Sequence, residues 1–207
     1  MNPDEAAPVR LLRRRLRAGD PEAYASLFRD HAQRVHRLAA GLCGDRGLAE
    51  DVVGETFLAA WKNRSSISDT DAPLVPWLLA IAARQSLNAT RGRSRQQRLV
   101  TRQGHRLDST VPDIADSVSS RLDDAELLAR TRAALDGLRD PEIEVLALCV
   151  WSGVSTRDAA RALGVAEGTV RSRLSRARAR LRALATSQPP PSPRPLPRSA
   201  SAVRPLS

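Results

Sequence analysis

GTVRSRLSRARARL, Gly168 to Leu181, places five arginines in fourteen residues and sets leucines and alanines between them. Wound as a helix and carried on to Leu184, the stretch puts Val170, Leu174, Ala177, Leu181 and Leu184 on one stripe, which has to face a core. The opposite side is small, with Gly168, Ser172, Ser175 and Ala179. Arg171, Arg178 and Arg182 flank it on one shoulder, and Arg173, Arg176 and Arg180 on the other. A solvated arginine face accounts for the charge but gives no reason for the slim centre. A helix with a narrow front and cationic shoulders fits a groove and reaches both walls of phosphates.

The preceding residues give that helix a partner. Ser155-Thr156-Arg157-Asp158 reads as a capping box opening a short helix, Ala160 is small where two helices cross, Gly164 supplies the turn, and Val170 locks the next helix inward. This is the helix-turn-helix layout, whose second helix docks in the major groove with its N-terminal residues toward base edges. Glu167, Arg171, Ser172 and Ser175 are then the candidates for base edges, and Arg173, Arg176 and Arg178 for phosphates. Thr169, in the same first turn, completes the DNA-binding set.

The whole chain agrees with an acidic partner. Its 207 residues carry a formal charge of +10, and Lys62 is the only lysine, so the positive charge is almost all guanidinium. No apolar run follows the charged start, and no later segment is long and apolar enough to span a bilayer, so no membrane insertion and a cytoplasmic location are expected. Cys43 and Cys149 lack the CxxC or Cys/His clustering of a zinc site and read as small apolar residues. His31 and His36, five apart on a helix, share no face for a metal. With no phosphate-cradling glycine loop, HExxH or GxSxG motif, the sequence implies no catalytic site, no metal or other cofactor and no small-molecule substrate.

The organisation is all-α, with two small helical domains joined by a flexible linker. The first domain spans residues 9–98, the linker 99–119, the second domain 120–185 and a disordered Pro/Ser/Arg-rich tail 186–207. Asp-Pro-Glu occurs twice, at Asp20 and at Asp140, and reads each time as N-cap, first helical residue and dipole-favoured acid. In the first block Leu27, Phe28, Val35, Leu38 and Leu42 recur at helical spacing; a second helix runs from about Leu48 to Lys62, and a third begins near Pro76 after a Ser/Asp-rich loop.

The run LRDPEIEVLALCVWSGVSTRDAARALGVAEGTVRSRLSRARARL, Leu138 to Leu181, resembles region 4 of the extracytoplasmic-function (ECF) sigma factors, the small sigma-70-family subunits that direct bacterial RNA polymerase to promoters. In that family region 4 reads the minus-35 element. AEDVVGETFLAAW, Ala49 to Trp61, resembles region 2.2, which grips the polymerase clamp. On a helical wheel Leu48, Val52, Val53, Ala59 and Ala60 form one apolar face, and Glu50, Asp51, Phe57, Leu58 and Trp61 lie around the other side. Acids mixed with large apolar groups suit a protein partner with a basic surface. With Glu55, these residues are the expected core-polymerase contacts.

PWLLAIAARQSLNATRGRSRQQR, Pro76 to Arg98, resembles regions 2.3 and 2.4, which hold and read the minus-ten element. Trp77, Ile81, Arg84, Asn88 and Arg91 share one line, apolar first and polar afterwards. Trp77, Arg84, Asn88, Arg91 and Arg95 are the expected minus-ten contacts, and Arg64 to Asp71 is the counterpart of the family's base-capturing loop. The chain departs from the family at Gly54, Ala83-Arg84, Asn88 and Ile143. The resemblance implies core RNA polymerase and promoter DNA as partners, together with an anti-sigma factor. Two rivals stand beside it: a helix-turn-helix regulator with an N-terminal sensor or dimerisation domain, and a polymerase-binding adaptor that makes no promoter choice.

Overall fold

The computed structural model describes residues 3–67, 72–102 and 135–187, and every regular element among the described residues is helical. In order these are α1 (Pro3–Arg17), α2 (Pro21–Cys43), α3 (Arg46–Lys62), a 3-10 turn (Arg64–Ser66) and α4 (Leu74–Arg102). Then come α5 (Asp140–Leu146), continued by a π turn (Ala147–Trp151), α6 (Thr156–Leu163) and α7 (Glu167–Ser187). Most of the expected linker and the Pro-rich tail beyond Ser187 lie outside the described residues, as does the end of the base-capturing loop.

Helices α2, α3 and α4 pack on one another as a bundle. Leu27, Val35 and Leu42 of α2 meet Leu78 and Leu79 of α4, all at 2% exposure or less. Burying each such side chain contributes roughly 1.5–3 kcal/mol, which makes this layer the main source of stability in the first unit. Ala39, Cys43, Ala49 and Val52 make a second, small-residue cluster that lets α2 and α3 approach closely. The N-terminal α1 is fastened by Arg13, a buried guanidinium whose Nε and Nη2 donate to the Ala72 carbonyl at 3.0 and 2.5 Å, just ahead of α4.

The two Asp-Pro-Glu sites open their helices differently. At the first, Asp20 Oδ1 accepts from the amides of Glu22 and Ala23 at 2.9 and 3.3 Å, with Pro21 as first helical residue. The hydrogen bond from Arg15 then holds the Asp20 carboxyl below its ordinary range. At the second, the cap position is Arg139, and Glu142 Oε2 turns back to accept the Arg139 amide at 3.0 Å. Asp140 is already inside the helix, and its carboxylate pairs with Arg91 instead. The reading of Asp140 as N-cap is thereby corrected: a different acid of the same tripeptide closes the box.

Three further expectations are revised. Helix α4 starts at Leu74, since Pro76 fits within a first turn whose amides need no partner, and it continues to Arg102, past the expected domain boundary at 98, because no glycine or proline follows Gly92 before Gly104. Phe57, expected on the outer face of α3, is buried at 4% exposure. Phe28, expected inside, is 44% exposed and lays its ring on Phe57 at 4.7 Å between centroids. Leu27 already occupies the inward position of α2, and its immediate neighbour cannot face the same way.

The second unit is α5, the π turn, α6 and α7, closed around Val145, Ala147, Leu148, Ala159, Val170 and Ala177, none of which has measurable exposure. Ser155 Oγ accepts the Asp158 amide at 3.1 Å and so caps α6, but it also donates to Asp158 Oδ2 at 2.7 Å, so the carboxylate takes the hydroxyl and not the Ser155 amide, and the expected capping box is half formed. Gly164 ends α6 at φ 67°, a left-handed turn that a side chain would strain. The two units touch: α6 packs on α4, and the π turn lies beside α2 and α4. Arg34 donates to the Ser152 carbonyl at 2.7 Å, and the Trp151 ring covers Gly41.

Candidate nucleic-acid interface

Helix α7 buries Val170, Leu174 and Ala177 and turns Ser172, Ser175, Arg176, Arg178 and Ala179 to solvent. The small residues therefore form an open front, with exposed guanidinium groups beside it. Arg171 is 67% exposed along its side chain, and Arg173 and Thr169 are half-buried. Within this face Ser172 Oγ donates to the Thr169 carbonyl at 3.0 Å, and Arg176 Nε donates to the Ser172 carbonyl at 3.3 Å.

Glu167, expected at a base edge, is engaged inside the protein. Its Oε1 accepts from Thr156 Oγ1 at 2.7 Å and from Arg171 Nη2 at 2.6 Å. The Thr156 hydrogen bond, with help from Arg171, holds the Glu167 carboxyl below its ordinary range against the opposing effect of burial. Thr156 belongs to none of the sequence-predicted sets. It lies eleven residues before Glu167, and no periodicity of one helix links them.

Arg180, read as a shoulder of the groove-facing helix, is committed inward. Its Nη1 donates to Glu142 Oε2 at 2.6 Å, tying α7 to α5. Burial pushes the Glu142 carboxyl up, but the Arg139 amide and the charges of Arg180, Arg139 and Arg176 outweigh it, so its pKa lies below the ordinary value. A depressed carboxylate stabilises the fold above its unfolded pKa and loses that contribution as pH falls through the folded one. Glu142→Gln is expected to cost about 1–2 kcal/mol near neutral pH, because the buried acceptor loses its charge while the part-exposed Arg180 regains water. Urea titrations of both proteins should differ near pH 7 and converge in acid, below the usual carboxylate range.

Along α4, Trp77 and Ile81 are half-buried against the core, whereas Arg84, Asn88, Arg91 and Arg95 are exposed. Two of these face the second unit: Arg84 Nε lies 3.8 Å from Glu144 Oε1, and Arg91 pairs with Asp140. Burial raises the Glu144 carboxyl, opposed by Arg84, Arg173 and Arg91.

On α3, Glu50, Asp51 and Glu55 are exposed and Leu58 stands 43% exposed beside them. Trp61 is half-buried, its ring edge-on to Tyr24 at 5.0 Å and covered by the Arg64 guanidinium at 4.7 Å. The Tyr24 hydroxyl donates to the Phe57 carbonyl, and burial pushes its pKa up to about 12. The outer face of α3 thus presents acids around Leu58 and Trp61, with Phe28 of α2 adding an aromatic that the sequence had placed inside. Phe57 lies beneath as its support.

The chain matches the family models for Sigma-70 region 2 over residues 27–96 and Sigma-70 region 4 over residues 128–181. It is 34% identical over 162 residues to the ECF RNA polymerase sigma factor SigL of Mycobacterium tuberculosis, covering 77% of this chain and 87% of the relative. RNA polymerase sigma factor CarQ of Myxococcus xanthus is 32% identical, with 78% and 88% covered. Among solved structures, CnrH in complex with the cytosolic domain of CnrY superposes with a TM-score of 0.61 at 26% identity, covering 87% of this chain and 99% of that one. The sigma factor RpoE of Bartonella quintana, solved with the anti-sigma factor NepR, gives a TM-score of 0.53 at 26% identity over 80% of this chain and 98% of that one. A region 2 bundle followed by a region 4 helix-turn-helix, matched along most of its length by named relatives, makes this chain a member of the ECF family of sigma-70-type RNA polymerase sigma factors.

Proposed function

We propose that the chain binds bacterial core RNA polymerase through the outer face of α3, holds the minus-ten strand along α4 and reads the minus-35 element with α7. The observation that carries this reading is the open front of α7, whose exposed small residues lie between arginines in the same chain as an acidic, aromatic α3 face. Core contacts fall to Glu50, Asp51, Glu55, Leu58 and Trp61, and Phe57 supports them from below. Minus-ten contacts fall to Trp77, Arg84, Asn88, Arg91 and Arg95. Minus-35 contacts fall to Thr169, Arg171, Ser172, Arg173, Ser175, Arg176 and Arg178, with Glu167 acting through Arg171.

The role needs no catalytic group of its own, since the polymerase performs the chemistry, and it is exercised in the cytoplasm, where core enzyme and promoter meet. The structural relatives solved with CnrY and with NepR support regulation of this chain by an anti-sigma protein. Purified chain mixed with core enzyme should co-elute on gel filtration and support run-off transcription from a subset of a promoter library. A chain that dimerises, binds duplex DNA tightly alone and leaves core enzyme untouched would instead be an ordinary helix-turn-helix regulator.

A further inference from the structure

We infer that Thr156 is a positioning residue for minus-35 recognition, acting through Glu167 to aim Arg171; this rests on the reading of α7 as the minus-35 helix. Thr156 is the first residue of α6, the helix that the layout assigns to crossing the DNA backbone rather than to touching bases. Its hydroxyl reaches into the first turn of α7 and donates to Glu167 Oε1 at 2.7 Å. Arg171 Nη2 donates to that same oxygen at 2.6 Å. One carboxylate oxygen is therefore held from α6 while it holds a guanidinium on α7.

The consequence is a choice of base. A guanidinium presents its donors in a planar fork that matches O6 and N7 of guanine, whereas a free carboxylate accepts from the amino group of cytosine. An exposed arginine samples many rotamers, and ordering it on binding weakens recognition. With Glu167 secured by Thr156, Arg171 is ordered in advance and Glu167 is withheld from the groove. The arrangement selects guanine through Arg171 over cytosine through Glu167. Thr156→Val keeps the branched shape and exchanges the hydroxyl for a methyl group that cannot donate.

The test uses holoenzyme reconstituted from core polymerase and the full chain, on templates randomised across the minus-35 window with a fixed minus-ten element, read by sequencing of run-off products. Wild type should enrich guanine at one position, and Arg171→Ala should lose that enrichment. Thr156→Val should reduce it by about fivefold, the lower end of what a bidentate arginine–guanine pair discriminates, while Thr156→Ser retains it. Should Thr156→Val lower the melting temperature, Glu167→Gln decides, since it weakens the same relay from the other end and should also reduce guanine enrichment. Undiminished guanine enrichment in Thr156→Val and Glu167→Gln, alongside its loss in Arg171→Ala, overturns the positioning role alone. A wild-type holoenzyme with no base preference in the window removes the underlying reading of α7, and the inference falls with it.

Discussion

Replacing Arg171 and Arg176 together by alanine is expected to lower run-off transcription from a minus-35-dependent promoter by about 100-fold while leaving association with core polymerase unchanged. The magnitude combines two kinds of contact. A guanidinium fork on a base edge discriminates by about 1–3 kcal/mol, and a lost phosphate contact weakens binding at every sequence and flattens its salt dependence. The two residues sit on opposite shoulders of the slim front of α7, so the double variant removes one contact from each wall of the groove.

The fold should tolerate the change. Both side chains are exposed, and alanine is the better helix former, so the helix keeps its apolar stripe of Val170, Leu174 and Ala177 against the core. Circular dichroism melting should therefore match wild type, and co-elution with core enzyme should persist because the proposed contacts of α3 lie in the other unit. Salt titration of the residual activity should give a shallower slope than wild type. Full activity on minus-35-dependent templates would instead favour an adaptor that makes no promoter choice.

The buried stripe of α7 was legible in the sequence from Val170 to Leu181 because it lies within one helix, where a period of 3.6 residues ties spacing to direction; Leu184, expected on the same stripe, is 37% exposed, one turn beyond the core. The same holds for the Ser155 cap and the Gly164 turn, which are local backbone chemistry. What the sequence concealed is everything settled between elements. Phe28 and Phe57 exchange roles because whichever ring covers the other depends on how α2 and α3 cross. Arg180 looks like another groove-facing cation until Glu142, 38 residues earlier, takes it inward. Asp140 looks like a cap until Arg91 of α4 claims its carboxylate. Composition marks these groups as charged, but only the assembled helices decide which charges are spent within the protein and which stay available to a partner.

Neutralising Asp140 and Glu144 together, as Asn and Gln, is expected to raise the free chain's affinity for a single-stranded minus-ten oligonucleotide by about tenfold. Arg84 and Arg91 belong to the ridge proposed to hold that strand, and in the structure each faces one of these two carboxylates. A phosphate that binds either arginine has to displace an acid already there. The exposure of the pairs sets the size of the effect: Arg84 and Arg91 are 67% and 49% exposed along their side chains. Exposed ion pairs contribute about 0.2–1 kcal/mol each, which caps the gain from two at roughly 30-fold and puts its expected size near tenfold. Separation of the units is not required, since apolar contacts and the Arg34 bond to Ser152 remain, around an open void of about 180 Å³ lined in part by Leu42, Leu87, Leu138 and Ile143. Fluorescence anisotropy with a labelled oligonucleotide should show the gain at low salt and its disappearance at high salt, where exposed charges are screened. Adding Arg84→Ala and Arg91→Ala to the neutralised chain should abolish the gain. Equal affinities of wild type and the Asp140→Asn, Glu144→Gln variant at low salt would show that these carboxylates do not compete with the strand, and that α4 is as available in the packed chain as in an open one.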